Sequence, residues 1–326
     1  DIGKAEYKAQ FLNHESVPQL QDGAEKGNYS VDVVHSITAG AFSFNVTAED
    51  LEKRKVFNDI RFRQAMSLAI NRAEINDVVF YGMGKAQQYV AFSPVPDFVD
   101  PKWLNYMIKY DQAKANSLLD AVGMADRDGD GFRKLPNGDA LALNINFATQ
   151  GIGVGEVELV ARSWNEVGIK TNFKEVTPDE YRSAQSANKL DVAVWIKGQP
   201  IAIVLGTNEM FVPPYENYFG HRTAMLWAEY IDSNGSSGVK PPAYAMEMIE
   251  DINVFQTLVA GTDASNKRGA NLVKNLTGNL LFIGTVKAPY PIFHRNALKN
   301  FTTFKTASYE YYRTYPYRPQ QWFISE

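Results

Sequence analysis

Between residues 140 and 196 the chain alternates strand, helix, strand, helix and strand patterns, and this alternation limits the fold more than any other feature. "ALALNINF" puts Leu141, Leu143, Ile145 and Phe147 on one face, as a half-buried strand requires. "EVELVARSWNEV" has helical spacing and stops at Gly168, and the strand "IKTNFKEV" follows. Thr177, Pro178 and Glu180 then form a capping box with proline at the first helical position. That helix runs through "DEYRSAQSAN" into the buried-looking strand "LDVAVWI". A β-α-β-α-β succession is the signature of an α/β domain.

Two shorter helices are expected upstream. Phe62, Ala65, Met66, Ala69 and Ile70 fall at helical spacing in "IRFRQAMSLAI", with Asn58 and Asp59 just before it. Asn71 is placed to cap the second helix with Glu74 three residues on, and Gly82 and Gly84 end it. Asp111 caps "QAKANSLLDAV", and Gly123 is placed as its stop. Beyond Trp195 the periodicity loosens until "AYAMEMIEDINVFQTLV" and "SNKRGANLVKNLTGNL", which read as helices. The last 30 or so residues read as irregular or edge structure.

Composition removes several function classes. The chain of 326 residues has room for about two domains. Net charge is −4 and no basic block tracks a phosphate backbone, which argues against a nucleic-acid partner. The absence of cysteine excludes thiol catalysis, disulfides and Cys-ligated zinc. No apolar run approaches the roughly 18 residues of a membrane span. The four histidines are dispersed and belong to no metal-ligand spacing, and no G-x-S-x-G elbow occurs. "GIGVGEVE" follows a strand and opens a helix but lacks the Lys-Ser/Thr of a phosphate loop, so it reads as a strand-to-helix turn. The chain opens on Asp1 without an initiator Met, as expected of a mature product or an excised piece with any targeting signal out of view.

The stretch "DRDGDGFRKLPNGD" imitates a calcium loop, with Asp126, Asp128 and Asp130 at alternate positions and Gly131 after them. Loop position twelve, where an EF-hand needs a bidentate Glu, is Asn137, and a strand follows where the exiting helix should be. Asp, Asn and Gly are also the residues turns prefer. A structural connection is the expectation, with calcium on the three aspartates as the alternative and no other cofactor.

Several stretches resemble the family 5 extracellular solute-binding proteins, the receptors of oligopeptide-type ABC importers. "VFNDIRFRQAMSLAINRAEINDVVFYGMG" resembles the signature helix pair of that family, and "YDQAKANSLLDAVGMADRDGDGFRKLPNGDALAL" its next segment. "VARSWNEVGIKTNFKEV", "LDVAVWIKG" and "LLFIGTVKAPYPIFHRNALKNF" resemble later strands and helices. Only some 57 residues precede the helix pair, so the resemblance implies a C-terminal portion of such a receptor. The implied fold is an α/β periplasmic-binding-protein-like lobe of type II in the family 5 arrangement, with partial segments of the other lobe. Residues 1–46 would end the first lobe and cross the hinge, 47–284 would form the second lobe, and 285–326 would return to the first.

The resemblance implies a non-enzymatic receptor outside the cytoplasm, periplasmic or extracellular, with membrane anchoring through a segment preceding Asp1 left open. Its partners would be a small solute, oligopeptide or oligosaccharide, and an ABC permease in the membrane. Peptide-binding members end the strand matching "DVAVW" in a Trp, followed three residues later by an Asp that pairs with the peptide's amino terminus. Trp195 matches the Trp, but the Asp position holds Gly198, with Lys197 before it and Gln199 after it. Oligosaccharide-binding members use aromatic stacking and neutral hydrogen-bonders, a role that Trp195, Gln199, Trp227 and Tyr230 would suit. Phe44, from the hinge-crossing stretch, and Lys197 complete the expected ligand-binding set. A carbohydrate-active enzyme and a sensor that has lost transport are the competing classes.

Overall fold

The computed structural model describes residues 5–9, 12, 14–36, 40–92, 94–149, 151–196, 224–303, 306–307 and 318–325. Its strands include β1 (Tyr7–Lys8), β2 (Tyr29–Ser36), β3 (Gly40–Phe44), β4 (Lys85–Ala86), β5 (Leu143–Phe147), β6 (Thr171–Glu175) and β7 (Val192–Ile196). Three more follow late in the chain: β8 (Ile283–Gly284), β9 (Val286–Lys287) and β10 (Pro289–Arg295). The early helices are α1 (Val17–Asp22), α2 (Ala24–Gly27), α3 (Leu51–Asn58), α4 (Ile60–Ala69), α5 (Arg72–Phe80) and α6 (Gln112–Val122). The central pair is α7 (Val154–Glu166) and α8 (Pro178–Ser186), and the helices Met225–Asp232, Ala243–Thr257 and Asp263–Gly278 come after.

The local signals act where the sequence puts them. The Asn71 side chain accepts from the Glu74 backbone N–H at 3.2 Å, and Asp59 starts α4 by accepting from the Arg61 N–H at 2.9 Å. Such caps satisfy amides that the first turn of a helix leaves unpaired. Asp111 caps α6 in the same way, and Gly123 ends it at φ 97°, where a side chain would be strained. Thr177 accepts from the Glu180 N–H at 3.2 Å to start α8.

Two sheets organise the chain. In the first, β10 lies between β1 and β2, antiparallel to both, and Thr306–Ala307 extends the far edge parallel to β2. In the second, β3 lies antiparallel between β7 and β8. The parallel pair β5–β6 packs on the other side of β7, start beside start, with the Asp191 carboxylate accepting from the Asn144 N–H at 3.2 Å.

The chain therefore passes from the first sheet to the second between Ser36 and Gly40, and returns between Gly284 and Pro289. Residues 40–46 consequently belong with the second sheet, since β3 is its middle strand in the β7–β3–β8 ladder. The main core packs α4 and α7 onto the second sheet. Trp164 sits at its centre, donating its indole N–H to the Met66 carbonyl at 3.0 Å.

Candidate functional site

One edge of the second sheet collects the ends of several strands. Gly40 at the start of β3 pairs with Ile196 at the end of β7, and Ala41 pairs with both Trp195 and Gly284. The turn from β5 into α7 closes over the same edge: a Cβ at Gly151 would stand 2.3 Å from the Trp195 ring. A glycine is needed there because the indole lies directly on the backbone. Trp195 is 9% exposed and stacks obliquely on Tyr181 at 5.5 Å between centroids. The Tyr181 hydroxyl bonds both the carbonyl and the N–H of Val194 at 3.0 Å, which fixes the end of β7. Ligands of open α/β sheets bind outside such strand ends.

Both inter-sheet crossings are tied to α7 at this edge. Glu156, in the first turn of α7 and 4% exposed, accepts from the Gly40 N–H at 3.2 Å and shares a short hydrogen bond with the Thr285 hydroxyl. Thr285 also lies 3.1 Å from the Gly40 carbonyl. Gly40 follows the first crossing and Thr285 belongs to the return. A single hydroxyl proton cannot serve both the carboxylate and the Gly40 carbonyl. A protonated Glu156 resolves the count by donating to Thr285, which then donates to Gly40. Burial pushes the Glu156 carboxyl up to about 7, against which the bonds from Thr285 and Gly40 act only in part.

The return crossing has a second anchor. The buried Arg72 guanidinium donates to the Gly284 carbonyl at 2.9 and 2.8 Å and to the Ser67 carbonyl at 2.8 Å. Gln88 accepts from the Gly284 N–H at 2.6 Å. A Cβ at Gly284 would stand 2.5 Å from the Tyr89 backbone nitrogen, so the strand end fits only as glycine. Sequence spacing contains no trace of the bonds to Gly40, Gly284 and Thr285, because each joins residues more than 100 positions apart in the chain.

Among the described residues, the predicted site side chains Trp195, Phe44, Trp227 and Tyr230 lie at separate places. Trp195 stands on the edge just described, while Lys197, Gly198 and Gln199 lie outside the described residues. Phe44 is 2% exposed and its ring packs against Phe57, Phe62 and Trp164. It pairs with Val192, at the far end of β7 from Trp195, about 10 Å away at strand rise. An aromatic closed in on all sides has no face for a solute. Trp227 is 2% exposed and packs with Val46, Ala245 and Tyr244 next to that far end. Tyr230, half-buried on the same helix, covers the glycine turn at Gly235 and Gly238. Both serve local packing, the ordinary fate of aromatics on a short helix.

The acidic turn closes on itself. The Asp128 carboxylate accepts from the backbone N–H groups of Asp130 at 3.0 Å and Phe132 at 2.9 Å, and Arg127 donates to the Gly131 carbonyl at 2.6 Å. Among the described residues no three His, Cys, Asp or Glu side chains gather as metal ligands.

This fold and edge belong to a known class. The family model "Bacterial extracellular solute-binding proteins, family 5 Middle" matches residues 6–202. The chain is a member of that family and has its type II periplasmic-binding-protein fold. The solved structure of the oligopeptide-binding protein OppA superposes with a TM-score of 0.81 at 26% identity, covering 99% of this chain and 54% of that one. The periplasmic alpha-galactoside-binding protein of Rhizobium meliloti is 23% identical over 253 residues, 72% of this chain and 33% of that protein. The probable ABC transporter-binding protein of Deinococcus radiodurans is 23% identical over 169 residues, 50% of this chain and 28% of that protein. The chain thus spans about a third or less of these curated relatives.

Proposed function

We propose that the protein captures an oligopeptide at the edge between its two sheets and delivers it to an ABC permease from outside the cytoplasm. The observation that carries this reading is the likeness to an oligopeptide-binding protein along 99% of the chain. Capture works through the two crossings, a hinge about which the sheets close on a solute whose binding favours the closed state. In this reading Trp195, at the end of β7 and beside the Gly40 crossing, touches the cargo. Among the described residues no helix is long and apolar enough to cross a membrane.

An oligosaccharide is the second reading, and two observations favour it. Gly198 offers no anion for a peptide ammonium group, and one relative is named for alpha-galactoside binding. Mass spectrometry of solute released by denaturing the purified protein separates the two. A ladder of peptide masses supports the first reading; hexose or pentose spacings overturn it in favour of the second.

A further inference from the structure

At the crossings the chain brings several bases together. Lys85 and Lys287 stand directly opposite each other in the antiparallel pair β4–β9. Cross-strand partners project to the same face, and like charges there repel. His35, the penultimate residue of β2, pairs with Pro289 two residues beyond Lys287 and lies within electrostatic reach of both lysines. Among the described residues neither ammonium forms an ion pair with a carboxylate. Burial, then the neighbouring Lys85, lowers the Lys287 ammonium from its ordinary value; burial and the two lysines lower the His35 imidazole against the opposing pull of its hydrogen bond to the Met83 backbone.

From this juxtaposition we infer that Lys287, Lys85 and His35 form a binding site for a small oxyanion, a phosphate or a carboxylate, free or carried by the solute. An anion placed where Lys85 and Lys287 face each other, beside His35, relieves the repulsion and gains charge-assisted hydrogen bonds. The three residues come from three segments: His35 precedes the first crossing, Lys287 lies on the return, and Lys85 follows α5 in the second sheet's half of the chain. An anion held by all of them ties the crossings together and favours one hinge position. The site rests on the proposed function only where the solute itself carries the anion.

The test is NMR of the His35 ring and lysine ammonium groups in the 326-residue chain during titration with inorganic phosphate, acetate, and a short peptide with a free or amidated carboxyl end. Saturable shifts at His35 and Lys287 are expected, with the His35 pKa rising as the anion binds. Lys287→Gln and Lys85→Gln should each weaken binding about tenfold or more, the loss of one charged hydrogen bond. Response to phosphate alone assigns a free oxyanion, and response to the free but not the amidated peptide assigns the solute's own carboxylate. No saturable shift with any probe, or equal affinity in the double Gln variant, overturns the site. The double variant should melt higher than the parent without anion, because the repulsion is gone; a lower melting temperature counts against the proposal too. These probes report on the site whether or not the protein binds peptide or sugar, so the two readings fail separately.

Discussion

The carboxyl of Glu156 and the hydroxyl of Thr285 share a short hydrogen bond that joins the first turn of α7 to the return crossing. The same carboxyl receives the Gly40 N–H at the other crossing, so one buried acid holds both.

Its titration should therefore be visible in stability. The carboxyl titrates near 4.5 when unfolded and at about 7 when folded, so between those values the native chain keeps a proton that the unfolded chain has lost. Its stabilising contribution is complete below the unfolded value and declines as pH rises through the folded one, by roughly 3 kcal/mol in all. Glu156→Gln keeps an acceptor for Gly40 but cannot ionise. Denaturant unfolding at several pH values should show the variant gaining on the parent from pH 4.5 to about 7 and holding a constant difference above it. A constant difference throughout would mean the acid does not titrate in that window.

Gly151→Ala should destabilise the chain by about 1–3 kcal/mol, the cost of forcing a methyl group into a filled space. The Trp195 indole would have to leave its place against Tyr181, since the new Cβ stands 2.3 Å from the ring. In a double-mutant cycle with Trp195→Ala most of that cost should vanish, because the clash needs both groups. Thermal melts of the four proteins measure it.

Trp195 and Phe44 should separate binding from stability. Phe44→Ala opens a cavity among Phe57, Phe62 and Trp164 and should cost about 3–5 kcal/mol, with the affinity of the folded fraction little changed. Trp195→Ala should lower affinity for the identified solute about tenfold or more, as loss of a central aromatic contact does. Calorimetry and denaturant unfolding on both variants give the comparison. Unchanged affinity in Trp195→Ala removes that residue from the site.

The contrast between these two aromatics marks how far the sequence could be read. Elements that form through neighbours a few residues apart were legible: the Asn71 and Thr177 caps, the Gly123 stop, and the strands and helices from Leu143 to Ile196. Phe44 was not, because its environment depends on β3 pairing with β7 some 150 positions later, and hydrophobicity looks alike in a core and in a cleft. Trp227 fails for the same reason. Glu156 stayed hidden because an acid in the first turn of a helix is what any exposed helix prefers; only tertiary packing buries it against Gly40 and Thr285.

The acidic turn makes the last prediction. Of the three aspartates, Asp128 is the one whose carboxylate accepts from the turn's backbone, through the N–H groups of Asp130 and Phe132. Asp128→Ala should cost about 1–2 kcal/mol, since hydrogen bonds to a charged acceptor are among the stronger ones but this turn is exposed to water. Asp126→Ala and Asp130→Ala should stay within about 0.5 kcal/mol of the parent, as surface substitutions do. If calcium instead holds the loop, all three substitutions act together, because each removes a ligand, and the melting temperature rises with added calcium by mass action. Melts with calcium and with a chelator should coincide in the parent. A calcium-dependent rise abolished by Asp126→Ala or Asp130→Ala would return the turn to the metal sites.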